Sequence, residues 1–176
     1  MKLYVARHGQ TVWNAANRVC GITDVELTEK GIEQAQELAK LVAEAKVDMI
    51  LTSPLVRAMD TGKIVSEYCN IPMMVDNRLI EQNYGIYEGV DRTNEEFLAN
   101  KRNFAYRYPN GESMMQVAYR IYGLLEDIKK KYSGKDVLLI SHGGVCRIID
   151  TYFNDMTNEE FFNYTLKNAQ LKIYEL

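Results

Sequence analysis

The chain has 176 residues, 47% of them apolar and 26% charged, with a net charge of −3. That length suits one domain with a sizeable core, and the balance excludes disorder as the main state. The slight acidic excess speaks against a dedicated nucleic-acid binder, and no apolar run is long enough for a bilayer-spanning helix.

The N-terminal stretch MKLYVARHGQ predicts a first strand over 2–6 and turns polar too soon for a secretory leader, so a cytoplasmic protein with no membrane partner is expected. Apolar residues Ile32, Ala35, Leu38, Ala39, Val42 and Ala45 recur at helical spacing and predict a helix over 28–45, with Thr28 as its N-cap. Residues 47–52 read as a buried strand. Ser53-Pro54 reads as an N-cap followed by proline at the first helical position, opening a helix to about Tyr68. Pro72 and the run after it predict a third strand. Residues 79–92 have no clear period and read as a functional loop, part of a cap spanning about 82–110.

A helix is expected over 93–107, ended by Pro109-Asn110-Gly111. Ser113 and Gln116 match a capping box that opens a long helix to about Tyr132. Residues 137–140 form a strongly apolar strand, a helix follows from about Gly143, and a last strand closes the chain near 171–174. Strands alternating with helices predict a single-domain α/β fold over 1–176, a three-layer α/β/α sandwich on a mostly parallel sheet. A homodimer formed through a free edge of the last strand is compatible with this pattern. Cys20, Cys69 and Cys146 are widely spaced, contain no CxxC pair, and are expected to stay reduced.

Ligands of such sheets bind beyond the carboxyl ends of the strands. The chain has only two histidines. Both fall just past a predicted strand end and precede glycine, as Arg7-His8-Gly9 and Ser141-His142-Gly143. A third strand end leads to Arg57 in the first turn of its helix. If the three strands are neighbours, two imidazoles, two guanidiniums and a helix N-terminus share one crevice. That crevice is an anion pocket, because arginine matches phosphoryl oxygens with a planar fork of donors and helix amides add more. Neutral imidazole is also a nucleophile, and nearby cations oppose its protonation. Two histidines without a third ligand at short spacing make a poor catalytic zinc site, so no metal and no cofactor is expected.

The blocks carrying these residues resemble the histidine phosphatase superfamily, the phosphoglycerate mutase-like proteins. Residues 7–14 (RHGQTVWN) are similar to that family's opening signature, and 17–24 and 24–31 continue it. Ser53 to Ala58, then Leu79-Ile80-Glu81 with Gly85, Glu88 and Gly89, then Gly111-Glu112-Ser113 and Ser141 to Gly144, follow in family order over nearly the whole chain. The resemblance implies that His8 is the nucleophile and becomes phosphohistidine. It implies that Arg7, Arg57 and His142 hold the phosphoryl oxygens with Asn14 and the Gly143 amide, and that Glu81 is the general acid. Thr11, Gly21, Tyr84 and Arg92 are the further substrate-binding positions it suggests. The residues alone give no reason to prefer Glu81 to Glu88 or Asp91.

Mutases of the family share a long insertion after the third block, and here the span between Gly89 and Gly111 is short. Cys20 stands where they commonly have threonine. A phosphatase of a small phosphorylated metabolite is therefore expected, with a cofactor-dependent phosphoglycerate mutase or a non-catalytic phospho-ligand binder as alternatives. Phe97, Phe104, Tyr106 and Tyr108 suit either a substrate-reading cap or simple packing of an amphipathic helix.

Overall fold

A computed structural model describes residues 1–176. Five strands form one sheet in the order β3-β2-β4-β1-β5, where β1 is Lys2–Arg7, β2 Met49–Thr52, β3 Met73–Val75, β4 Val137–Ser141 and β5 Leu171–Glu175. The first four run parallel, and β5 returns antiparallel beside β1. The mostly parallel expectation holds, and β5 is a sheet edge.

The sheet is buried on both faces, which explains its nearly unbroken apolar strands. Side chains alternate between two cores. Leu3, Val5, Leu51 and Leu139 face one core, against helices α5 (Met114–Lys131) and α6 (Gly143–Phe153). Tyr4, Ala6, Ile50, Leu138 and Ile140 face the other, against α2 (Glu29–Ala45) and α3 (Val56–Cys69). Truncating a fully covered leucine such as Leu139 to alanine costs about 2–5 kcal/mol.

The expected caps of α2 and α5 are present. Thr28 Oγ1 accepts from the Gly31 amide, and Ser113 and Gln116 close a reciprocal capping box. Ile32 departs from the predicted face and is exposed. Helix α3 begins later than expected, because Ser53 and Pro54 lie before it and its N-cap is Leu55. The missing side-chain cap comes from outside: Asp24 Oδ1 accepts from the Val56 amide at 2.7 Å. Ser53 Oγ accepts from the Leu55 amide at 3.3 Å instead.

The helix expected over 93–107 is only Glu95–Lys101, here α4. Its aromatic residues belong to two separate clusters, which one helix could not serve. Phe97 and Tyr108 pack with Val19 and Tyr87 in a small cap core. Phe104 instead turns into the main core, its ring centroid 5.1 Å from Phe161 and 5.3 Å from Phe162. Both of those residues lie on α7 (Asn158–Asn163), a short helix with no expectation from the sequence, as is α1 (Val12–Ala15). No helix is long and apolar enough to cross a membrane.

Candidate active site

Neighbouring β2, β4 and β1 bring the three predicted strand ends side by side, with Arg7 in register with Ser141 and Thr52 with Ile140. His8 follows β1, and its amide donates to the Ser141 carbonyl at 3.0 Å. The loop after it lies directly on the start of α2. A Cβ on Gly9 would stand 2.2 Å from the Gly31 carbonyl oxygen, so close backbone approach is what requires glycine there.

The two imidazoles are buried, with ring centroids 5.1 Å apart. His8 Nδ1 lies 2.6 Å from the Gly9 carbonyl oxygen. A carbonyl only accepts, so Nδ1 carries the proton and Nε2 keeps the lone pair. His142 has the opposite tautomer. Arg57 Nε donates to its Nδ1 at 3.2 Å, so its Nε2–H donates to Ser53 Oγ at 2.7 Å. Burial first, then Arg57 and Arg7, holds His8 well below its ordinary value. Burial, Arg57 and His8 do the same to His142. Both rings are therefore neutral at neutral pH.

The cavity over His8 has a volume of about 180 Å³. Of the expected site residues, Arg7, His8, Asn14, Glu81, Tyr84, Arg92 and Gly143 line it. Arg7 Nη1 donates to the Leu166 carbonyl, while its Nε is buried without a partner. Asn14 Oδ1 accepts from the Thr11 amide and from Asn168 Nδ2, which leaves its amide NH2 for the cavity.

Glu81 is buried between two amides. Oε1 accepts from Gln82 N and Oε2 from Gly144 N, both at 2.9 Å. The backbone of its segment is held by Arg120, which donates to the Arg78 and Glu81 carbonyls and pairs with Glu112. The structure distinguishes the three carboxylates that the sequence left equal. Glu88 accepts from the amides of Gly21, Ile22, Thr23 and Tyr84 and from the Thr23 hydroxyl, tying two loops together. Asp91 is exposed and closes a turn onto Thr93. Only Glu81 reaches the cavity.

Arg57, His142, Thr11 and Gly21 stand behind the cavity wall. Arg57 is fully covered and commits all three nitrogens: Nε to His142, Nη1 to the Thr23 carbonyl and Nη2 to the Gly21 carbonyl. Thr11 caps α1, and Gly21 is held between Arg57 and Glu88. Of the three residues expected to clamp the phosphoryl group, Arg7 lines the cavity, while Arg57 and His142 are buried beside His8.

Lys101, Arg147, Asn168 and the 164–166 segment were not assigned to the site from sequence. Lys101 and Arg147 had a readable signal. Lys101 is one turn after Phe97 on α4, and Arg147 one turn after Gly143 on α6, so each shares a helix face with another wall residue. Residues 164–168 had none. No three or more His, Cys, Asp or Glu side chains gather where they could hold a metal ion.

A family model described as "Histidine phosphatase superfamily (branch 1)" matches residues 3–176. A probable phosphoglycerate mutase, GpmB, of Yersinia pestis (strain Pestoides F) is 37% identical over 150 residues, covering 81% of this chain and 70% of that one. Among solved structures, Bacillus stearothermophilus YhfR has a TM-score of 0.89 at 30% identity, over 99% of this chain and 91% of its own. A mycobacterial glucosyl-3-phosphoglycerate phosphatase in complex with VO3 has a TM-score of 0.87 at 26% identity, over 98% of this chain and 90% of its own.

Proposed function

The chain belongs to the histidine phosphatase superfamily, and on that premise we propose that it is a metal-independent phosphomonoesterase that hydrolyses a small phosphorylated metabolite through a phosphohistidine on His8. One observation carries the reading: a buried, neutral histidine whose Nδ1 is pinned to Gly9 O, leaving a free Nε2 lone pair at the floor of a cationic cavity.

Nε2 attacks phosphorus in line with the ester oxygen. Arg7, whose Nε has no protein partner, receives phosphoryl oxygens together with the Asn14 NH2 and the Gly143 amide. These donors are fixed before reaction, so they stabilise developing charge without reorganising. Arg57 and His142 act from behind, orienting the pocket and keeping His8 unprotonated. Glu81, at the cavity wall, protonates the departing alkoxide. In the second half-reaction it takes a proton from water, which attacks phosphohistidine and releases phosphate.

The short cap favours hydrolysis, since a mutase must keep water from the phosphoenzyme. The second reading, a phosphoglycerate mutase, is supported by the name of the curated relative. The two are separated by measuring phosphate release from a panel of phosphomonoesters in excess EDTA, with His8→Ala as control and phosphoglycerate isomerisation followed in parallel. Release that depends on His8 and survives EDTA is the expected result. Isomerisation without release would replace the hydrolase reading with the mutase one.

A further inference from the structure

The segment between α7 and β5 holds three groups around the nucleophile. The Leu166 carbonyl accepts from Arg7 Nη1 at 3.0 Å, and the Ala169 amide donates to the Arg7 and His8 carbonyls. Asn168 adds two contacts from one nitrogen. Its Nδ2 donates to the His8 carbonyl at 2.9 Å and to Asn14 Oδ1 at 3.2 Å. A carbonyl only accepts, so the His8 backbone fixes which end of the Asn168 amide points inward. The next residue, Ala169, has φ at +55°, in the left-handed region that alanine rarely adopts. Such a conformation persists where its surroundings over-determine it, and here the two carbonyls hold the Ala169 amide.

We propose that Asn168 is a positioning residue of the phosphoryl site: its one NH2 group holds the carbonyl of the nucleophile and sets which end of the Asn14 amide meets the substrate. The inference rests on the phosphomonoesterase reading above and adds to it a residue outside the cavity lining. An asparagine side chain presents an acceptor at one end and two donors at the other. Turned one way, Asn14 donates to phosphoryl oxygens; turned the other way, it sets an oxygen against them. The Thr11 amide and Asn168 Nδ2, each at 3.2 Å, both require an acceptor, so they keep Oδ1 and leave the NH2 to the cavity. The second hydrogen of Asn168 Nδ2 acts on His8. The peptide joining His8 to Gly9 is gripped on both sides, by Asn168 at its carbonyl and by Thr61 Oγ1, which accepts from its N–H at 3.1 Å. The following peptide is gripped likewise: Gln34 Oε1 accepts from the Gln10 amide at 2.8 Å, while the Gly9 carbonyl meets His8 Nδ1. Nucleophile and donor are thereby held in one mutual geometry through a single side chain.

Asn168→Asp keeps the size of the side chain and removes both donors. A carboxylate there faces Asn14 Oδ1 and the His8 carbonyl, acceptor against acceptor. With p-nitrophenyl phosphate, kcat/KM is expected to fall roughly 10–100-fold, the range of one hydrogen bond to a charged group. A double-mutant cycle with Asn14→Ala separates positioning from a general structural role. Once Asn14 has no amide to orient, Asn168→Asp is expected to cost at least about fivefold less than in wild type. An equal loss in both backgrounds, or no loss in wild type, overturns the proposal. In isotope-labelled protein the Asn14 side-chain amide signals are expected to shift when phosphate binds to wild type, and a shift of the same size in Asn168→Asp also overturns it. Asn168→Ala removes the donors without adding charge and repeats the cycle, with the same outcomes, where Asn168→Asp does not fold; Tm checks both. If wild type hydrolyses no ester, the phosphomonoesterase reading fails, and the cycle is read on calorimetric binding of inorganic phosphate to the same four proteins. Equal losses of affinity, or no phosphate binding by wild type, then overturn the positioning role.

Discussion

Gly144→Ala tests the proposed acid without touching it. A Cβ at Gly144 would stand 2.6 Å from Glu81 Oε1 and 3.2 Å from its Cδ. Those atoms end a flexible side chain, so the clash is relieved by moving the carboxyl rather than the backbone. The carboxylate then loses the Gly144 amide, which it now accepts from at 2.9 Å. A hydrogen bond to a charged group contributes about 1.5–3 kcal/mol, equivalent to roughly 10–100-fold in rate if the group is needed in the transition state. The assay compares an alkyl phosphate with p-nitrophenyl phosphate, and thermal melting checks the fold. An alkoxide needs the proton and nitrophenolate does not. The alkyl ester should therefore lose roughly 10–100-fold in kcat, the aryl ester several-fold less, and Tm should hardly move. Equal losses for both esters, or none, would remove Glu81 from the acid's role.

Arg57→Lys is expected to destabilise by about 3 kcal/mol, since one ammonium cannot serve Thr23 O, Gly21 O and His142 Nδ1 together. That corresponds to a fall in Tm on the order of 10 °C, and an unchanged Tm would show that this fork is not what holds the loop. Glu88→Gln sets an NH2 group against donors that now meet a carboxylate oxygen. Its Tm should fall and the 20–23 loop should exchange amide protons faster, whereas unaltered exchange would refute the tie. Both histidines are held well below their ordinary value of 6.5, so the unfolded chain binds more protons than the folded one below that pH. Stability should therefore fall as pH drops through 6.5, by up to about 1.4 kcal/mol per pH unit for each histidine. Denaturant titrations from pH 8 to 5 measure this, and a flat profile below pH 6.5 contradicts it.

The sheet and its four longer helices were legible because their signals are local and agree with one another: apolar strands, a threonine cap on α2, a capping box on α5. The strand-end rule then brought Arg7, His8, Arg57 and His142 to one edge of the sheet from topology alone. What failed was decided by tertiary structure. Ser53 has the sequence of an N-cap, yet its hydroxyl serves His142, and Asp24 caps the helix from another loop. The 93–107 helix stops at Lys101 because Phe97 and Phe104 belong to different cores. Asn168 enters the site only because the turn before β5 brings its amide to the His8 carbonyl, which no local pattern announces.

The position of Arg57 shows how the pocket divides two tasks that the sequence pattern merges. An arginine near a phosphoryl site can bind the anion or shape the field, and its hydrogen-bond partners decide which. Arg7 keeps an unpartnered Nε at the cavity, so it is available to a ligand. Arg57 gives one N–H from each nitrogen to two carbonyls and an imidazole, which fixes its charge beside the pocket. That charge still weighs on His8, where Arg57 is the largest influence after burial itself. A nucleophilic imidazole surrounded by cations risks nothing by protonation at neutral pH, and the same cations wait for the incoming dianion. On the proposed phosphohistidine reading, one positive field therefore acts twice: it keeps His8 unprotonated, and it stabilises the negative charge of the phosphoryl group under attack.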